Sequence, residues 1–241
     1  NLSDKMITSH KKFLKIGLVS LLLVLIFSIG FLSWFPPVSS EALTHHLVVP
    51  KLYLQHGGIY EIPTIVFSYY PMNLDLLYLI PLYFENDIAP KYIHFLFALL
   101  TAVLIFYYLQ KRLGSQWGLF GALFFLSLPL IVKLSISIYV DLGLIFFSTA
   151  ALVSLLKWIE SRLQLKFFII SAISCGLSLG TKYNGLIVLF LLTLFIPFIY
   201  INNYKKNFNV KCFRQIDKNF SFLGNLTRIH PYKMKVIGYI I

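Results

Sequence analysis

The stretch YIHFLFALLTAVLIFYYLQKRLGSQWGLFGALFFLSLPLIVKLSI, residues 92–136, contains two apolar runs parted by a short polar link that carries Lys111 and Arg112. A membrane-crossing helix takes about 20 mainly apolar residues, with about 17 to 25 usable. The two runs, 92–110 and 118–136, meet that length, and so do 16–35, 139–156, 164–181 and 185–201. A seventh run begins at Val236 and reaches Ile241. The expectation is an all-α, polytopic transmembrane helix bundle with six full spans and the start of a seventh.

Composition agrees with that reading. The 241 residues are 58% hydrophobic and only 12% charged, with mean hydropathy +0.79, which excludes an ordinary soluble enzyme. An aromatic share of 17% excludes intrinsic disorder. Cys175 lies in an apolar run and Cys212 in a basic stretch, so the two give neither a disulfide framework nor a zinc-site spacing. Lys11, Lys12 and Lys15 precede the first run, whose length suits an uncleaved anchor better than a signal peptide.

Orientation follows from the basic residues in the connections. With a cytoplasmic N-terminus, seventeen of the 21 Lys and Arg fall inside, leaving Lys51, Lys91, Lys133 and Lys182 outside. The net charge of +12 is thus accounted for by insertion, and a nucleic-acid partner is not required. The basic loop 202–235 suits anionic headgroups of the lipid bilayer at the inner face. Its two glycosylation sequons, at Asn219 and Asn225, are then on the wrong side to be used. Six of the nine acids, namely Glu41, Glu61, Asp75, Glu85, Asp87 and Asp141, fall outside. Acids contribute little to insertion, so this bias points to a working outer face. Reading 62–84 as a further span would bury Asp75 and is set aside.

The one long external connection, residues 36–91, is rich in Pro, Gly, His, Tyr and acids. Long loops of this kind are usually functional. A helix over 41–55 is expected, capped by Ser39 or Ser40, kinked at Pro50 and stopped by Gly57-Gly58. Leu43, Leu47, Leu54 and Tyr53 suit a helix lying on the membrane surface. Glu41 and His45 are one turn apart on it, with His46 adjacent. A carboxylate beside imidazoles is a general-base arrangement. It is equally a pair of polar residues at an interface, and the spacing does not separate the two. Glu41, His45 and Asp141 also supply ligand types for a divalent metal, with nothing to distinguish that from a metal-free site. Farther on, Asp75 precedes a short apolar stretch, Leu76 to Phe84, too short to span, that packs the loop on the bundle. Asp141 starts the fourth span and Lys182 ends the fifth, both on the outer face, where a lysine can neutralise a phosphate.

These residues carry a resemblance. Glu41-Ala42-Leu43-Thr44-His45-His46-Leu47-Val48-Val49-Pro50-Lys51-Leu52-Tyr53-Leu54-Gln55-His56-Gly57-Gly58-Ile59 resembles the pattern D-x-x-x-Y-H-L-x-x-P-K-x-Y-L-x-x-G-x-I of the GT-C superfamily of integral membrane glycosyltransferases, in the protein O-mannosyltransferase-like and aminoarabinose-transferase-like branch. Glu41 stands where the pattern has Asp, and His45 where it has Tyr. Tyr70-Pro71 with Asp75, Tyr139-Val140-Asp141-Leu142 and Thr181-Lys182-Tyr183-Asn184-Gly185 follow in the family's order, so the likeness covers about residues 12–201.

The resemblance implies an inverting transfer of a sugar from a polyprenyl-phosphate carrier to a lipid, glycan or protein acceptor at the outer, periplasmic or lumenal face. Glu41 would be the base and Lys182 the phosphate partner. His45, His46, Asp75 and Asp141 would bind substrate. Family members carry further spans, so residues 1–201 are expected to form the N-terminal part of such a module, followed by the loop 202–235 and a truncated span at 236–241. A non-catalytic remnant, or a transport or assembly subunit whose charges line a pathway, is the alternative; no internal repeat supports a transporter.

Overall fold

A computed structural model describes residues 2–201, with side chains from Lys12 onward. No strand occurs among the described residues. The chain divides into two compact units, Asn1–Leu192 and Thr193–Ile241. The described part of the second, residues 193–201, is helical. The architecture below concerns the first.

Helix α1 (Leu2–Leu32) is followed by one π-helical turn (Ala42–His46) and α2 (Val48–His56). A 3-10 turn at Val66–Tyr69 leads to two five-residue helices, α3 (Asn73–Leu77) and α4 (Leu79–Tyr83). Then come α5 (Ala89–Leu113), α6 (Ser115–Ser127), α7 (Pro129–Ser135), α8 (Asp141–Glu160), α9 (Leu165–Thr181) and α10 (Gly185–Ile201). The loop expected between 36 and 91 is therefore built of short helices, and residues 62–84 contain no spanning helix.

Among the described residues, three helices are long and apolar enough to cross a membrane: Lys12–Leu32 within α1, then α5 and α8. The expected uninterrupted span at 118–136 is instead two helices, α6 and α7, bent by 67°. The cause is Pro129. Its ring excludes the α conformation at Leu128, which is extended at φ −60° and ψ 126°. Counting the bent pair as one span makes four, while α9 and α10 are apolar but shorter. Six full spans are thus not what the helices show by length. The seventh run, the basic loop 202–235, Cys212 and both sequons lie outside the described residues.

The bundle packs α5 against α6 and α8, α8 against α9, and α6 against α1. Ala98 and Ala102 of α5 and Ala122 of α6 are buried with Ile29, Phe95, Leu126, Ile131, Leu134 and Leu142 in one core. Small residues suit such contacts because in hydrocarbon close backbone approach, rather than water exclusion, holds helices together. Basic side chains gather at one end, where Arg112 and Lys111 of α5 pair with Glu160 of α8. Asp141 is at the opposite end of α8 and Lys91 at the opposite end of α5.

The α1 end is tied down at that second end. Ser33 Oγ donates to Ile29 O and Ser135 O, Tyr92 Oη donates to Gly30 O at 3.0 Å, and Lys91 Nζ donates to Phe35 O at 2.5 Å. The loop segment that follows departs from expectation in three ways. The helix is interrupted at Leu47, with a π turn before it, rather than kinked at Pro50. Pro50 is the third residue of α2, where its missing N–H costs no helical bond. Neither Ser39 nor Ser40 caps a helix through its side chain. Leu47 and Tyr53 are buried in protein rather than laid on a membrane surface, while Leu43 is exposed. Gly57 ends α2 with φ +80°, as a C-terminal glycine should.

Helix α3 is seated on α8 and α9 by two glycines. A Cβ at Gly143 would stand 2.8 Å from Leu74 Cδ2, and one at Gly180 would stand 1.9 Å from Asn73 Nδ2. Both lie two residues from a charge at the helix end, Asp141 and Lys182, so the seat delivers Asp75 of α3 to those charges. Gly180→Val is expected to destabilise the protein by about 1–3 kcal/mol through overpacking. Gly176→Val makes the same swap in the same helix where nothing lies within 4 Å, and is the control. Thermal unfolding in detergent checks this: equal melting temperatures for the two variants would refute the seat.

Candidate active site

The π turn presents Glu41, His45 and His46 toward α3 and the facing ends of α8 and α9. His46 is buried, and its Nδ1–H donates to Asp75 Oδ1 at 2.6 Å. The proton held on Nδ1 leaves Nε2 as the basic nitrogen. Asp75 is 3% exposed. Burial pushes its carboxyl above the usual range, and the bond from His46 and the charge of Lys182 oppose that rise.

His45 stands in a ring stack, 4.0 Å from His46 and 4.3 Å from Phe67, nearly parallel to the latter. Partial burial is the main reason its pKa falls to about 4, reinforced by the nearby His46 and Lys182. It is neutral at pH 7. The stack continues edge to face through Tyr70 to Tyr183, at 5.5 and 5.2 Å.

Lys182 is the C-cap of α9, where a cation complements the helix dipole, and Asp141 is the first residue of α8, where an anion does. Because α8 and α9 pack side by side, the two meet: Lys182 Nζ donates to Asp141 Oδ1 at 2.7 Å. Tyr139 packs edge to face on His46, with ring centroids 5.8 Å apart. Its hydroxyl is pushed up first by burial and then by the charges of Glu41 and Asp141. Tyr78 Oη donates to Tyr139 O at 2.5 Å, fixing this segment to the loop.

Glu41, His45, His46, Asp75 and Lys182 line one cavity of about 250 Å³, together with Thr44, Phe67, Tyr70, Met72 and Tyr183. Five of the six side chains expected at the site are therefore brought together, and Asp141 joins through Lys182. Phe67 and Met72 carry no signal in the sequence, whereas Tyr70, Tyr139 and Tyr183 belong to the family-like blocks. A larger cavity of about 800 Å³ between α2 and α4 contains the half-buried pair Lys51–Asp87 and none of the expected residues. Volume is the weaker guide here, because converging charges and a buried carboxylate are what chemistry requires.

The metal expectation meets a different geometry. Among the described residues no three His, Cys, Asp or Glu side chains are grouped to hold an ion. Asp141, the third ligand of that expectation, faces Lys182, and His45 Nδ1 is within 3.3 Å of Thr44 Oγ1.

The family model described as dolichyl-phosphate-mannose-protein mannosyltransferase matches residues 60–217, a span that includes Asp75, Asp141 and Lys182 and leaves Glu41, His45 and His46 before it. No curated protein and no solved structure matches the chain. The chain belongs to the dolichyl-phosphate-mannose-protein mannosyltransferase family within the GT-C superfamily, membrane glycosyltransferases that draw their sugar from a polyprenyl-phosphate donor.

Proposed function

We propose that this protein transfers a sugar from a polyprenyl-phosphate carrier to a hydroxyl group of a protein, lipid or glycan acceptor at the outer face of the membrane, inverting the anomeric carbon. The observation that carries the reading is the single cavity lined by Glu41, His45, His46, Asp75 and Lys182, drawn from the loop and from the end of α9. In one displacement the acceptor oxygen bonds to the anomeric carbon while the bond from that carbon to the phosphate oxygen breaks. Attack opposite the leaving group inverts the centre. Glu41 takes the acceptor proton, and no hydrogen bond ties up its carboxylate among the described residues. Lys182 offsets the negative charge left on the lipid phosphate. His46, locked by Asp75, orients the acceptor hydroxyl. Neutral His45 offers a hydrogen bond and an aromatic face, and Asp141 holds Lys182 between turnovers. No step requires a metal.

The topology proposed with it has six membrane-embedded helical segments and a cytoplasmic N-terminus. Two observations support that arrangement. Lys111, Arg112, Lys157 and Glu160 line one depression at the far ends of α5 and α8 from the site. Helices α9 and α10 are both apolar and reach the lower end of the usable length, about 17 residues. The basic loop 202–235 then faces anionic headgroups at the inner surface.

A second assignment of the base is favoured by the 2.6 Å bond between His46 and Asp75, which orients an imidazole as a base is oriented in catalytic dyads. There Nε2 of His46 takes the proton. The assay is transfer from dolichyl-phosphate mannose to a hydroxyl-bearing peptide, in membranes carrying the full-length protein. Glu41→Gln is expected to lower kcat by about 100- to 10,000-fold, with unchanged membrane abundance. Near-normal kcat in that variant, with His46→Ala inactive, moves the base to His46; both variants fully active would sink the site.

The charge state of His45 gives a separate check. Its folded pKa of about 4 lies below the ordinary 6.5, so the folded state binds fewer protons between those values. Its contribution to stability is intact above pH 6.5 and is lost as pH falls through that window toward 4. His45→Phe keeps the stack on Phe67 and removes the titration. Melting temperatures followed from pH 7.5 down to about 4.5 should fall more steeply for the wild type than for the variant. Parallel curves would refute the assignment.

A further inference from the structure

His94 of α5 has no part in the cavity, yet it is fully buried and every polar atom of its ring is used. Nδ1–H is shared between Leu134 O at 3.0 Å and Ser137 O at 3.1 Å. Nε2 accepts the backbone N–H of Leu142 at 3.0 Å. The partners are unusual in kind. Leu134 O and Ser137 O lie at the C-terminal end of α7 and in the link after it, and Leu142 N is the second N–H of α8. Leu142 N, among the first N–H groups of α8, has no acceptor within its own helix, and a side chain near the end normally satisfies such a group, while Leu134 O also accepts the backbone N–H of Ser137 at 3.1 Å. No side chain caps α8 at Val140, so a ring from another helix does so, joining the end of one broken segment to the start of the next.

We infer that His94 is a positioning residue for the site, setting the place of Asp141 and through it of Lys182. The bonded N–H belongs to the residue directly after Asp141, and Asp141 holds Lys182 at 2.7 Å. Tyr78 grips the same segment two residues before Asp141, through Tyr139 O, so 134–142 is held at both flanks of the carboxylate. Apolar contacts are non-directional, whereas hydrogen bonds fix both the axial place and the rotation of a helix end. Two directed bonds on either side of the α7–α8 link do so here. Asp141 and Lys182 are the charged groups that the ends of α8 and α9 bring to the site, so the device matters where bundle meets loop. The inference rests on the proposed role of Asp141 and Lys182.

The test is kinetic and uses the full-length protein, with dolichyl-phosphate mannose as donor probe and a hydroxyl-bearing peptide as acceptor probe. A misplacement of about 1 Å can cost about a hundredfold in rate, so His94→Ala is expected to lower kcat by about 10- to 100-fold. Asp141→Asn should lower it too, and the double variant should be no worse than Asp141→Asn alone, because both changes act through one group. His94→Gln carries an oxygen near the place of Nε2 and should recover more activity than His94→Asn, which replaces only the contact to α7. Losses that multiply in the double variant, or equal activity of the Gln and Asn variants, would overturn the inference. The Gln and Asn pair keeps the comparison open if His94→Ala does not accumulate in the membrane. Wild-type activity in Asp141→Asn would instead overturn the reading of the site beneath it, while loss there with full activity in all three His94 variants overturns this inference alone.

Discussion

Asp75 is a carboxylate with 3% of its surface exposed, and a charge taken that far from water is tolerated only with a partner and a nearby opposite field. His46 supplies the bond and Lys182 the field. For those two to reach Asp75, the five-residue α3 has to lie on the ends of α8 and α9, and the π turn has to lie on α3. Gly143 and Gly180 leave room for the first contact. The core formed by Ala42, Leu47, Leu74, Tyr78, Leu82, Ile138 and Val140 secures the second. Satisfying this one buried group brings the loop, through His46, and the end of α9, through Lys182, to the same cavity.

The helices were legible because hydropathy identifies them: all six apolar runs are mainly helical, and the breaks at Gly114 and before Leu165 stand beside the polar residues that interrupt the pattern. The bend between α6 and α7 was legible in principle, since Pro129 sits within the run 118–136 and the restriction on Leu128 is local. It was missed because average hydropathy is blind to it. The site was legible in part for a different reason. Charged residues are so scarce in an apolar chain that Glu41, Asp75, Asp141 and Lys182 could be picked out without knowing where they met.

What the chain alone did not disclose is pairing at long range. His46, the last residue of the π turn, takes Asp75, and His45 beside it does not; local spacing does not distinguish the two. The expected helix over 41–55 would have paired Glu41 with His45 instead. Phe67 belongs to a 3-10 turn with no periodicity to mark it, and its place in the ring stack follows only from the fold of the loop. His94 lies inside an apolar run, and its importance appears only when α7 and α8 are seen to end and begin beside it.

The two charges at the bundle ends are held by their own helices as well as by each other. An anion at the start of α8 and a cation at the end of α9 are each favoured by about 0.3–1 kcal/mol at an exposed helix end. The ion pair between them is partly exposed, and pairs of that kind are worth little more than this. In the proposed reaction a lipid phosphate arriving at Lys182 therefore exchanges one modest interaction for another, and Asp141 is not left bare when its partner turns away. A deeply buried pair could not be opened in this way, because removing one partner there would strand the other at a cost of about 3–5 kcal/mol. Helix ends at the mouth of a membrane bundle thus provide charges that are placed firmly enough to be found by a substrate and held loosely enough to let it in.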